Sequence, residues 1–166
     1  LSIILLGPVF AAMWQMLELG KKAAEKNRKV GVGLMCRHCD ARQQLHDRID
    51  DGQIGDITSI LATYYAGPVK PMPPASGRPA GMGDVEWQVR NWYNFSWLSG
   101  DSLVEQAVHS LDKICWAMKD KPPVSVIATG GRQIPNEGGN IFDHFHAAYE
   151  WDGGLICHIT NRQIVG

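Results

Sequence analysis

The segment from Asp101 to Lys119 constrains the fold more than any other part of the chain. Its residues repeat at helical spacing, and Pro122-Pro123 closes it. At about 100° per residue, three faces separate. Val104, Ala107, Val108, Leu111, Ile114, Cys115 and Met118 share a wide apolar face, so the helix has one side to bury. Gln106, Ser110, Lys113 and Ala117 form the expected solvent face. Glu105, His109, Asp112 and Trp116 fall on a stripe about 60° wide. A carboxylate four residues before a histidine can lie over the imidazole, fix its tautomer and raise its basicity. Such a stripe fits one wall of a polar pocket. It also fits a solvated edge with ordinary i,i+3 and i,i+4 pairing, and the pattern alone favours that edge.

Elements that could accept this helix lie on both sides of it. Upstream, Gly7-Pro8 splits an apolar run from Leu1 to Leu19. The expected reading is a buried strand, Leu1 to Leu6, a helix from Val9 to Asn27, and a second strand, Val30 to Met35. That strand-helix-strand order belongs to a parallel α/β sheet. Asp40 with Gln43 has the spacing of a capping box, with Ala41, Leu45 and Ile49 as the apolar stripe and Gly52 as the stop. Asp56 to Tyr65 alternates as a strand, and Val69 to Met82, rich in proline and glycine, is a loop. Downstream, Val124 to Thr129 is a strand, while Phe142 to Trp151 and Leu155 to Thr160 form a hairpin about Asp152-Gly153-Gly154. The expected class is therefore α/β. A partial strand-helix-strand is followed by an open, mainly antiparallel sheet with one long helix.

The charge balance narrows the function. Lys plus Arg total 16 and Asp plus Glu total 17 in 166 residues, which argues against a nucleic-acid or anionic-membrane partner. No basic residue precedes the first apolar run, as an export signal would require, and Gly7-Pro8 interrupts it as a membrane span. Four cysteines are too few for a disulfide framework. Neither a Gly-X-Ser-X-Gly elbow nor a phosphate loop occurs.

Several blocks resemble the glucose-fructose oxidoreductase, inositol dehydrogenase and rhizopine-catabolism (Gfo/Idh/MocA) family. They are Arg90-Asn91-Trp92-Tyr93, Trp97-Leu98-Ser99-Gly100-Asp101 and Val104-Glu105-Gln106-X-X-His109-X-X-Asp112. Gly130-Gly131-Arg132-Gln133 and Gly139-Asn140-Ile141-Phe142-Asp143-His144-Phe145 extend the resemblance, as do Lys29 to Leu34 and Gly52 to Ile57. The resemblance implies an N-terminal Rossmann domain binding NAD or NADP, joined to a C-terminal domain whose long helix faces the nicotinamide. It implies hydride transfer to or from a sugar or polyol carbon, with a base taking the hydroxyl proton. His109 takes the role of that base and Glu105 its acidic partner. Asp112, Arg90, Trp92 and Trp97 become candidate substrate-binding residues, and Arg37 a candidate for the cofactor cleft. Homo-oligomerisation through the open sheet is implied as well.

The chain departs from that pattern in two places. It holds no Gly-X-Gly-X-X-Gly, and Gly7 stands where the family's glutamate-lysine-proline motif has its lysine. The expectation is a fragment in which residues 1–36 are a remnant of the dinucleotide-binding domain. Residues 37–166 are then a truncated substrate and oligomerisation domain, and the chain alone is expected to bind no dinucleotide tightly. Two rivals remain: an NAD-dependent glycosidase of the same superfamily, and a non-catalytic oligomerisation module.

Three other constellations have a plain and a functional reading. Cys36-Arg37-His38-Cys39 could be a redox pair or half a zinc site, but two incidental thiols at a turn fit more simply. His144, His146 and Glu150 share a strand face, with His158 across the hairpin as a possible third metal ligand. Polar residues of a sheet surface are the simpler reading there, so no metal is expected. Asp143 falls on the opposite face, with Arg132 as a candidate partner. Trp87, Trp92 and Trp97 fit equally as a sugar-binding wall or as core plugs.

Overall fold

Strand alternation decides where the helices can pack. In β1 (Ser59–Ala66), Ile60, Ala62 and Tyr64 turn inward while Leu61 and Tyr65 stay exposed. In β4 (Ile156–Gln163), Cys157, Ile159, Asn161 and Gln163 are buried. Between them in sequence come β2 (Ser125–Gly131) and β3 (His144–Glu150), and the sheet order is β1-β4-β3-β2. β1 runs parallel to β4, and the other two pairings are antiparallel. The hairpin from β3 to β4 turns at Gly153 and Gly154, both at positive φ, where a side chain would be strained. This computed structural model describes residues 2–31, 33–134 and 138–164. It bears out the α/β class and the open, mainly antiparallel sheet.

One face of the sheet is covered. Ala107, Ile114, Ala147, Trp151, Cys157 and Ile159 form the buried core, with Ile60, Leu111, Met118 and Tyr149 packed against it. The Asp101–Lys119 segment supplies the cover as two helices rather than one, α5 (Asp101–Glu105) and α6 (Val108–Ala117). At the break, the Ala107 N–H reaches back five residues to the Ser102 carbonyl at 3.0 Å. One extra residue in a turn rotates everything beyond it by about 100°. The expected solvent face therefore lies on β1. Ser110 Oγ donates to the Thr63 carbonyl at 3.0 Å, and Tyr64 OH donates to Gln106 Oε1 at 2.7 Å. Val104, expected inside, is exposed.

Other elements also differ from expectation. The chain divides into two compact units, Leu1–Gly33 and Leu34–Gly166. In the first, the expected Leu1–Leu6 strand and Val9–Asn27 helix are replaced by a single helix, α1 (Ser2–Glu25); Leu1 lies outside the described residues. Proline removes one backbone donor, and the alanine, leucine and methionine around Pro8 favour helix. The expected Val30–Met35 strand is also not formed among the described residues. Met35 opens a 3-10 turn, Met35–His38, and Val32 lies outside them. The partial strand-helix-strand is thus absent from the described residues.

In the second unit, α2 (Asp40–Asp50) begins where expected, but Cys39 is its N-cap and no side-chain capping bond forms. Gln43 Nε2 donates instead to the Arg37 carbonyl at 2.8 Å. Ala41 and Leu45 are exposed; His46 is the buried residue of this helix. The Val69–Met82 loop contains one 3-10 turn, Ala75–Gly77. Beyond it, α3 (Asp84–Arg90), a 3-10 turn at Trp92–Asn94 and α4 (Ser96–Ser99) lead into α5. Among the described residues no helix is long and apolar enough to cross a membrane.

Candidate functional site

β1 and β4 run side by side and end together, so polar residues near their C-terminal ends share one region. Tyr64 and Asn161 are register partners, as are Ala66 and Gln163. α5 and α6 cover this end. The His109 ring is half-buried and tilted against Tyr64, centroids 6.2 Å apart. His109 Nδ1 is enclosed, with no hydrogen-bond partner among the described residues. Proton exchange with an outside molecule must therefore use Nε2. Glu105 precedes the helix break, and no hydrogen bond joins it to His109 among the described residues. Its carboxylate accepts a 3.4 Å bond from Gln106 Nε2. The expected i,i+4 partnership is not made because the extra residue at Ala107 rotates His109 away from Glu105.

Tyr93 closes the base of this region. Its hydroxyl donates to Gln163 Oε1 at 2.6 Å. Burial pushes the phenol above its ordinary range, and nearby Glu105 and Tyr64 act in the same direction. It is therefore a fixed hydrogen-bond donor at neutral pH. Both amide atoms of Asn161, Gln163 Nε2 and Ser102 Oγ are buried without partners among the described residues. Sequence reasoning missed Tyr64, Tyr93 and Gln163. The inward alternation of the strands could have found Tyr64 and Gln163, but Tyr93 depends on a loop.

Arg37 and Asp112 form a second group. Arg37 Nε donates to Asp112 Oδ1 at 2.8 Å, and its Nη2 donates to Asp120 Oδ1 at 2.7 Å. Those bonds, to Asp120 first and then Asp112, raise the guanidinium further above its already high range. Arg37 likewise holds Asp120 below the usual carboxylate range. Its guanidinium carbon sits 5.6 Å from the Trp116 ring centroid, and His46 stacks on the same ring with centroids 3.6 Å apart. Asp112 is buried and committed to Arg37, although Oδ2 has no partner among the described residues. Sequence placed Arg37 and Asp112 in different roles; the fold pairs them.

The remaining candidates do not join either group. Arg90 pairs with Glu86 at 2.9 Å on the surface of α3. Trp92 and Trp97 are 41% and 54% exposed, so neither is a core plug. Tyr93 and Phe95 are the buried aromatics of this stretch. Trp92 packs edge-on to Tyr93, and Trp97 Nε1 donates to Gln88 Oε1 at 2.7 Å. Asp143 accepts bonds from the backbone N–H groups of Ile134 and Gln133 at 2.7 and 2.8 Å, and lies 2.7 Å from His144 Nδ1. Burial works to raise its pKa, but these donors outweigh it and hold the carboxyl below its ordinary range. Arg132 Nη1 donates to the Gly139 carbonyl. On the uncovered face, His146 and His158 stack with centroids 5.5 Å apart. No group of three or more potential metal ligands gathers among the described residues.

A family description, the GFO/IDH/MocA C-terminal domain, matches residues 42–165. The chain belongs to this family. Solved structures share the fold of this GFO/IDH/MocA domain. The WlbA dehydrogenase from Bordetella pertussis, determined with NADH and UDP-GlcNAcA, is 19% identical with a TM-score of 0.65 over 89% of this chain and 40% of its own. GenD2 from gentamicin A biosynthesis, determined with NAD, is 16% identical with a TM-score of 0.67 over 90% of this chain and 37% of its own. A myo-inositol dehydrogenase from Corynebacterium glutamicum is 17% identical with a TM-score of 0.57 over 80% of this chain and 34% of its own. This chain therefore spans well under half the length of these relatives. No curated protein sequence matches it.

Proposed function

We propose that this chain is the substrate-side domain of an NAD(P)-dependent oxidoreductase that transfers hydride between a nicotinamide cofactor and a sugar or polyol. In this reading residues 37–166 carry the substrate groups and residues 1–36 belong to the preceding dinucleotide-binding part. Family membership and the cofactors held by WlbA and GenD2 support the reaction class. The observation that carries the residue assignment is His109. Its Nδ1 is enclosed and its Nε2 is the nitrogen left to meet a substrate hydroxyl. That nitrogen takes the hydroxyl proton in oxidation and returns it in reduction. Glu105 lies within range to bias the Tyr93 phenol and so belongs to the same region. Asp112 acts here through Arg37, while Trp92 and Trp97 offer exposed aromatic faces to the C–H side of a sugar, with Arg90 beside them.

In this reading the described residues do not form the dinucleotide cradle. The chain has no Gly-X-Gly-X-X-Gly, and the Arg37 guanidinium is already bound by two carboxylates. Holding the dinucleotide is assigned to other parts of the parent protein. The test is His109→Asn in a parent that includes its dinucleotide-binding domain, with turnover followed as nicotinamide absorbance over a panel of polyols and sugars. Lost proton transfer should lower kcat by about two to four orders of magnitude. Turnover at the wild-type rate would remove His109 from the mechanism.

A further inference from the structure

We propose that Cys36 and Cys39 form a reversible dithiol–disulfide site that cross-links the turn carrying Arg37. The Met35–His38 3-10 turn is closed by a 3.4 Å bond from the Cys39 N–H to the Cys36 carbonyl. In such a turn residues three apart eclipse, with a rise of about 2.0 Å per residue. Their Cα atoms are then about 6 Å apart, inside the range of about 4.4–6.8 Å that a disulfide spans. Two incidental thiols need not share one turn in this way.

The two positions also differ in access. Cys36 is 3% exposed, whereas Cys39 is partly exposed at the N-cap of the eleven-residue helix α2. Cys39 is the thiol an outside reagent can reach, and Cys36 is placed to resolve. The other two cysteines do not compete. Burial pushes the Cys115 thiol up and the Cys157 thiol up to about 11, so neither supplies much thiolate at neutral pH.

The oxidant is a small-molecule disulfide of the glutathione class. The Cys39 thiolate attacks one of its sulfurs, forming a mixed disulfide and releasing one glutathione thiolate. The Cys36 thiol loses its proton to solvent, and its thiolate attacks the Cys39 sulfur, expelling the second glutathione thiolate. The two protons lost by the cysteines protonate the two leaving thiolates. The protein dithiol loses two electrons and the reagent gains them. The resulting ring encloses the backbone of Arg37, from which the bonds to Asp112 and Asp120 extend.

The test uses the whole 166-residue chain in buffers of varied reduced-to-oxidised glutathione ratio, followed by acid quench, trypsin and mass spectrometry. Trypsin cuts after Arg37, so the Cys36 and Cys39 peptides stay joined only when the disulfide is present. The joined pair should appear in oxidising buffer and disappear in reducing buffer, with the protein monomeric by non-reducing electrophoresis relative to a reduced control. In Cys36→Ser, glutathione should stay trapped on Cys39. Cys39→Ser changes only the more exposed position and should take up none. Absence of the joined peptides in fully oxidising buffer, a bond that forms only between two chains, or Cys36→Ser protein that carries no trapped glutathione would each overturn the proposal.

Discussion

At His46 a titratable ring is stacked flat on Trp116, with Nδ1 enclosed and without a partner among the described residues. Burial lowers its pKa, the positive charge of Arg37 acts in the same direction, and the nearby aspartates only partly oppose this. A histidine whose folded pKa is depressed stays neutral in the native state while the unfolded chain takes up a proton. Its stabilising effect is whole above the unfolded value of about 6.5 and is lost as pH falls through the folded value. His46→Phe keeps a ring for the stack and removes the titration. Denaturant midpoints between pH 7.5 and 5.5 should fall less steeply for the variant than for the wild type. Parallel slopes would show that His46 does not titrate differently in the two states. Arg37 matters at the same scale: it binds two carboxylates at once, and one of them is buried. A residue read from sequence as cofactor-facing is thus also an internal tether between the 3-10 turn and α6.

Among elements, the joint between α4 and α5 is the most demanding. Gly100 ends α4 at φ 71°, and a Cβ there would meet the Val104 Cβ at 2.7 Å. Gly100→Ala adds both left-handed strain and a clash, and should cost about 1–3 kcal/mol. Combining it with Val104→Gly, which removes the Cβ as well as both methyls, relieves the clash but leaves the strain, so in thermal melts the pair should lose less than the sum of the two single changes. Full additivity of the two changes would mean that the contact with Val104 is not what opposes a side chain at position 100. This joint sets the direction of α5, and the break after it sets the direction of α6. His109 and Glu105 therefore owe their relative placement to two local backbone irregularities rather than to helical periodicity.

At the scale of the whole molecule, the sheet has one covered face and one open face. On the open side Leu61 and Ile127 are 77% and 79% exposed, with His158 and Ala148 in register between them; Tyr65, Ile156 and His146, which stacks on His158, lie on the same face. Exposed apolar area of this kind favours association. We propose homo-oligomerisation through this face. Ile127→Glu, a substitution that disturbs no buried contact, should shift sedimentation equilibrium toward monomer at micromolar concentration. A wild type that sediments as monomer, or a variant as associated as the wild type, would end that proposal.

Much of the strand pattern was readable because strand alternation is a local property. Four strand segments, the β3–β4 hairpin at Gly153-Gly154 and the start of α2 at Asp40 all stand close to where their residues place them. The family blocks between Arg90 and Phe145 pointed to the GFO/IDH/MocA domain for the same reason: they are contiguous strings. The faces of the Asp101–Lys119 segment were not readable, since one i to i−5 bond at Ala107 turns Ser110 and Gln106 onto β1. Nor was the first helix, where Gly7-Pro8 reads as a break that α1 passes through. Sequence by itself determined the α/β class, the positions of the four sheet strands and the candidacy of His109. Only the tertiary structure decided that Arg37 pairs with Asp112, that His109 stands against Tyr64 rather than Glu105, and which thiols are accessible. Those depend on contacts between residues up to 75 positions apart, whose cost or gain no local periodicity records.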